Sequence, residues 1–252
     1  MREYRSRYES GARMVERELD VKRAIDVLGN GRSALGSVVT FRNVTAAARL
    51  NDELTYHATH DALTGAFNRR AFESRLRRAV QSAKELGSRH ALLYFDLDHF
   101  KPVNDTAGHA AGDELLRQLA KLLRGQLREH DALARLGGDE FAILLEDVSA
   151  EQAGYVAEKV RRAIAAYQFD WQGEIFRIGA SIGQLEFGDG KLSAYELLYR
   201  ADEMCYLAKS RGRDRVVSFS RVRNRTGNVP KNVAALRSNR QRIRRPRTPA
   251  RQ

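Results

Sequence analysis

Cysteine is nearly absent from this chain. Cys205 is the only one among 252 residues, so an internal disulfide framework is excluded, and a lone thiol on an expected helix reads as a small core residue in a reducing, cytoplasmic compartment. Long apolar runs are missing too, so neither a leader segment nor a bilayer-crossing helix is expected. Internal repeats are not evident. With 42% apolar and 30% charged residues, the chain can bury one substantial core.

Acids are missing from one region. Residues Arg221 to Gln252 hold ten arginines, one lysine and no Asp or Glu, a local charge of +11, which leaves +1 of the total +12 for everything else. The same stretch carries Pro230, Pro246 and Pro249, three of the four prolines, and little to bury. It is expected to be a disordered basic tail over 221–252, a solvated charge run with no catalytic role and no specific nucleic acid as partner.

What is present is more specific. In Arg135-Leu136-Gly137-Gly138-Asp139-Glu140-Phe141, two glycines and two acids interrupt an apolar pattern that continues through Ala142 to Leu145. The pattern predicts a β-hairpin with the acids at its tip. A turn needs glycine but not adjacent carboxylates. Glycine lets a bulky anion approach the main chain, and neighbouring carboxylates offer hard oxygen ligands to a magnesium-type ion. A second acidic cluster, Asp96-Leu97-Asp98-His99-Phe100-Lys101, ends the apolar strand Ala91 to Phe95. Should the strand and the hairpin be neighbours, Asp96 and Asp139 converge on one ion, a pattern suited to metal-assisted chemistry on a phosphorylated substrate.

These segments resemble the GGDEF-domain diguanylate cyclases from about Asp61 to Val217. Asp61-Ala62-Leu63-Thr64-Gly65 with Asn68-Arg69-Arg70 is similar to the family's opening signature, and Phe95 to Lys101 with Asn104-Asp105, Gly108-His109 and Gly112-Asp113 to its first active-site segment. Gly137 to Phe141 is the eponymous motif, and Ala208-Lys209-Ser210-Arg211-Gly212-Arg213 resembles the closing one. The resemblance implies an enzyme that joins two GTP molecules into cyclic di-GMP with release of pyrophosphate, as a homodimer whose two active sites face each other. Magnesium, with manganese as a substitute, is the implied cofactor. Its implied ligands are Asp96, Asp139 and the Leu97 carbonyl.

The remaining roles follow the same likeness. Asp139 and Glu140 are the catalytic candidates, with Glu140 assigned to help the 3′-hydroxyl lose its proton and the balance between the two left open. Asn104 and Asp113 fall on the guanine-reading positions, where a carboxylate accepts the N1–H and N2–H donors that adenine lacks. A helix N-cap is the plainer reading of both. Lys101, Lys209, Arg213, Gly137, Gly138 and the main-chain N–H groups of His99 and Phe100 are the phosphate-binding set. Arg128 and Asp131, separated from Gly137 by the five residues Ala132 to Leu136, match the family's R-x-x-D site for cyclic di-GMP as inhibitor. The alternative is a catalytically idle cyclic di-GMP receptor using only Arg128 and Asp131; an adaptor working through the tail is a third reading. No Glu-Ala-Leu segment supports a phosphodiesterase.

The expected fold is α/β, of the α+β kind: a central, mainly antiparallel sheet flanked by helices, similar to nucleotide cyclases and polymerase palms. Helices are expected over 70–86, 111–127, 150–167 and 193–210, strands over 91–96, 174–184 and 215–218, and the hairpin over 132–145. The catalytic domain is placed at 61–220. Residues 1–45 resemble a partial PAS remnant, with Val38 to Thr45 as its last strand. Ala47, Leu50, Leu54 and His57 suggest a linker helix over 46–60 that can pair with a second copy.

Overall fold

The computed structural model describes residues 4–10, 13–24, 38–43, 55–189 and 191–219. The basic tail and Ala47, Leu50 and Leu54 of the expected linker lie outside the described residues, while His57 is exposed in a short helical stretch. The chain divides into two units, Met1–Ala58 and Thr59–Gln252. The first holds a three-stranded antiparallel sheet, β1 (Tyr4–Ser10), β2 (Arg13–Ala24) and β3 (Val38–Asn43), in that order. Strand β3 lies where a strand was expected. β1 and β2 were not anticipated, because their arginines and glutamates mask any apolar alternation.

The second unit is built on a six-stranded sheet of order β11-β10-β5-β7-β6-β4. Its strands are β4 (Phe67–Asn68), β5 (His90–Asp98), β6 (Ala132–Gly137), β7 (Glu140–Leu145), β10 (Gly179–Phe187) and β11 (Arg215–Ser218). The three inner pairings are antiparallel and the two edge pairings are parallel. Four helices cover it: α1 (Arg69–Leu86), α2 (Phe100–Arg124), α3 (Ala150–Ala166) and α4 (Ala194–Ser210). A small hairpin, β8 (Gln168–Trp171) and β9 (Glu174–Arg177), stands apart.

Strand β5 is buried along its whole length. Successive side chains point to opposite faces of a strand. Leu93, Phe95 and Leu97 therefore join Leu115, Leu119 and Leu123 of α2 and Ala157, Val160 and Ile164 of α3. Leu92 and Tyr94 join Phe72 and Leu76 of α1 and Leu197, Ala201 and Cys205 of α4 on the other face. The single thiol is buried, and it donates to the Ser181 carbonyl at 3.0 Å.

Local chemistry sets the helix ends. Ser149 and Ser193 form capping boxes with Gln152 and Glu196, and the Asn68 side chain accepts from the Ala71 N–H at 2.9 Å. α4 lies unusually close to β10, because a Cβ at Gly183 would collide with the Ala201 carbonyl and the Cys205 nitrogen.

Two expectations need correction. α2 begins at Phe100, not near Ala111, and runs through a kink at Gly108, whose φ of 82° and ψ of 167° are not helical. Pro102, Asn104 and Gly108 made this segment read as loop, yet proline is tolerated in a first turn whose N–H groups have no helical partner anyway. The expected strand over 174–184 is really two strands, β9 and β10, and β9 pairs with the unforeseen β8.

Candidate active site

The C-terminal end of β5 and the tip of the β6–β7 hairpin meet at one end of the sheet's inner strands. Asp96 is the direct cross-strand partner of Glu140, so those two side chains share the face that α1 and α4 cover. The Leu97 N–H donates to the Asp139 carbonyl at 3.2 Å, which ties the strand end to the turn. The expected convergence of the two acidic clusters is thus realised, with Glu140 rather than Asp139 opposite Asp96. Asp96 and Glu140 are each 6% exposed, whereas Asp139 is half-buried on the turn.

Buried carboxylates need cations. Lys209, in the last turn of α4, reaches Asp96 Oδ2 at 2.5 Å, and Arg69 stands 3.8 Å from Glu140 Oε2. The same Arg69 donates to the Leu136 carbonyl at 3.1 Å, and so touches both strands of the hairpin. Burial first, then the charges of Glu140 and Asp202, push the Tyr94 phenol far above its ordinary range and keep it a neutral neighbour of the acids. Among the described residues no three His, Cys, Asp or Glu side chains gather tightly enough to hold a metal ion. The oxygen donors at hand are two strand acids, the turn acid and main-chain carbonyls.

The turn itself is open. Gly137 has φ 144° and Gly138 φ 56°, both are exposed, and a Cβ at either would meet nothing within 4 Å. Beside the turn lies the start of α2. His99 is its N-cap in the left-handed region at φ 65° and makes no side-chain capping bond, which leaves main-chain donors of the first turn for another acceptor. Lys101 is exposed there, 4.0 Å from Asp105. Arg213 follows α4 in a left-handed conformation with φ 61°, 3.8 Å from Asp98.

The kink at Gly108 folds the first half of α2 against the second. A Cβ at Gly112 would collide with Asn104 Oδ1, so Asn104 sits directly on the backbone next to the exposed Asp113. Neither residue caps α2; His99 does.

Asp131 turns back on its own loop. Its Oδ2 accepts from the Arg128 N–H at 2.9 Å, and its Oδ1 is buried with no hydrogen-bond partner among the described residues. The Arg128 side chain is exposed, and among the described residues no ion pair joins the two. The surface salt bridge that a bare R-x-x-D string suggests is not formed.

Several residues to which the sequence motifs assign no role brace this region. Arg135 donates to the Gly138 carbonyl at 2.9 Å and to Asp61 at 3.2 Å, so the opening signature braces the turn. Burial works to raise the Asp61 carboxyl, but hydrogen bonds from Thr64 and the Arg135 guanidinium outweigh it and hold the group below its ordinary value. Asp98 and Ser181 are linked deep in the sheet. Only spacing in three dimensions reveals these partnerships.

Fold and site together define a mixed α/β domain that presents acids, cations and helix N-terminal main-chain donors at one end of its inner strands. The family model for the diguanylate cyclase GGDEF domain matches residues 58–215, and the chain belongs to that family. The chain is 46% identical over 187 residues to the probable diguanylate cyclase DgcE of Escherichia coli, covering 74% of this chain and 17% of that protein. Diguanylate cyclase TpbB of Pseudomonas aeruginosa is 41% identical over 170 residues, covering 66% of this chain and 39% of the relative. The chain therefore spans well under half the length of these two proteins. Among solved structures, the coiled coil and GGDEF domain of DgcB from Caulobacter crescentus in complex with c-di-GMP matches with a TM-score of 0.65 and 31% identity, covering 69% of this chain and 93% of that one. In the described residues no helix is long and apolar enough to cross a membrane.

Proposed function

We propose that this domain is a diguanylate cyclase that condenses two GTP molecules into cyclic di-GMP. The observation that carries this reading is the pairing of Asp96 with Glu140 across β5 and β7, with Lys209 against Asp96 and the free start of α2 alongside. In each half-reaction the 3′-oxygen of one GTP bonds to the α-phosphorus of the other. The bond to the β-phosphate bridging oxygen breaks, pyrophosphate leaves with that electron pair, and the hydroxyl proton passes to the acidic pair Asp139 and Glu140. Lys209, Arg213, Lys101 and the N–H groups of His99 and Phe100 hold the triphosphate, and Gly137 and Gly138 let it lie against the turn. Asn104 and Asp113, brought together by the kink, read the guanine edge.

The hard oxygen donors at the strand end and the turn suit magnesium or manganese, which Asp96, Asp139 and the Leu97 carbonyl would hold. When bound, such an ion neutralises triphosphate charge and acidifies the hydroxyl. Two copies of the domain bring their sites face to face, because one site holds only half of the product. Arg128 and Asp131 take the product as inhibitor; the exposed Arg128 guanidinium, which makes no ion pair among the described residues, supports this, since it can pair with a phosphate or a guanine edge. Residues 1–45 are proposed as a PAS-like remnant and 46–60 as the pairing helix, in a cytoplasmic protein whose tail, 221–252, is dispensable for turnover.

The test is incubation of the purified chain with GTP and magnesium and identification of the product by mass spectrometry. Cyclic di-GMP is expected from the wild type and none from Asp139→Ala, and comparing Asp139→Ala with Glu140→Ala shows which acid dominates proton removal. Equal consumption of ATP would overturn the guanine assignment. A chain that binds cyclic di-GMP but leaves GTP intact would establish the idle receptor instead.

A further inference from the structure

Asp98 is 4% exposed, and two segments converge on it, β10 and the loop after α4. The Ser181 hydroxyl of β10 lies 2.9 Å from both carboxylate oxygens, the Asp214 N–H donates to Oδ2 at 3.0 Å, and Arg213 Nε stands 3.8 Å from Oδ1. Opposite Asp98 in the sheet is Gly179, where an added Cβ would sit 3.3 Å from the Asp214 side chain and 3.5 Å from Asp98 itself. The loop after α4 therefore rests on a bare patch of strand. It does so in a costly conformation, since after Gly212 the non-glycine residues Arg213 and Asp214 both have positive φ, at 61° and 40°.

Asp96 and Asp98 are two residues apart on a strand and so share one face, separated by about 6.6 Å. Lys209 lies in the last turn of α4, which ends at Ser210, and Arg213 follows on the left-handed loop beyond it. The turn of the loop after α4 lets the acids and cations meet as two rungs: Asp96 with Lys209 at 2.5 Å and Asp98 with Arg213 at 3.8 Å. The rungs differ in kind. Asp96 belongs to the proposed reacting centre, whereas Asp98 is committed to Ser181 and the Asp214 amide. We propose that Asp98, anchored by Ser181, is a positioning residue that holds the post-α4 loop in its left-handed form and so aims the Arg213 guanidinium at the nucleotide's phosphates.

The proposal rests on the nucleotide reading above, and its test separates the two. On the full chain, GTP and GMP affinities are measured for wild type, Asp98→Asn, Arg213→Ala and the double variant, alongside hydrogen exchange of the Asp214 amide. Asp98→Asn is expected to weaken GTP about tenfold while leaving GMP within twofold, and to add nothing to Arg213→Ala, since two residues acting through one contact are not additive. Asp214 amide exchange should accelerate in Asp98→Asn, and Ser181→Ala should reproduce a weaker version of both effects. Equal losses for GTP and GMP, fully additive losses, or unchanged exchange would overturn the proposal. If the wild type bound no GTP the nucleotide reading would fall, and the exchange measurement would still decide whether Asp98 holds the loop.

Discussion

Among the described residues from Thr59 onward, two hairpins have two-residue turns, and they are used in opposite ways. In β6–β7 the turn is Gly138-Asp139, and every residue of β7 is buried. In β8–β9 the turn is Gln172-Gly173, both at positive φ, and Ile175 is 59% exposed. The second turn is held from within, by the Gly173 N–H donating to Asp170 at 3.0 Å. The first is held from outside, through Arg135 to Asp61 and Arg69 to Leu136. A hairpin is a local product of turn chemistry. A site is what remains when distant elements fix the tip of one in place.

The largest break in this contrast lies in the cores. Phe141 is fully buried and stacks on Phe95 at 5.7 Å, so Phe141→Ala should cost about 3–5 kcal/mol, whereas Ile175→Ala should change stability by less than about 0.5 kcal/mol; urea denaturation of both measures the gap. Next is the brace: Arg135→Ala removes donors to Gly138 and Asp61 and should destabilise by about 1–3 kcal/mol, with GTP turnover falling further than the melting curve explains. Third are the turns. Gly138→Ala forces a side chain to φ 56° and should cost about 1–2 kcal/mol, while Gln172→Gly releases one from φ 55° and should stabilise by up to about 1 kcal/mol, both read as shifts in Tm.

The smallest effect is in the acid limb of stability. Because the folded Asp61 carboxyl lies below its ordinary value, its contribution is fully present above the unfolded value, near 3.8, and is lost as pH falls through the lowered folded one. Asp61→Asn should therefore flatten the decline of stability in that acid window and lower stability at neutral pH. An unchanged slope would detach Asp61 from the brace.

How much of this was legible in the sequence depended on the range of the cause. The β6–β7 hairpin, strand β11 and the extents of α3 and α4 follow from short windows of sequence, although the capping boxes at Ser149 and Ser193 emerge only from the structure. The start of α2 was missed because Pro102 and Gly108 signal a break, while burial of Phe100 and Val103 against the sheet overrides it. β8 was missed because a four-residue strand with alternating exposure carries little apolar signal. Asp96 and Glu140 could be nominated, but that they oppose each other is set by strand order. Asp98 had no visible role because its partner Ser181 is 83 residues away in a segment without polar clustering.

One absent methyl group fixes the distance between the sheet and the end of α4. Gly183 lets that helix settle until its backbone almost touches β10, and the ammonium of Lys209 and the loop carrying Arg213 are cantilevered from the same helix. The position works as a depth gauge: a side chain there would act as a wedge, lifting both positive charges off the acidic strand end at once without altering a single charged residue.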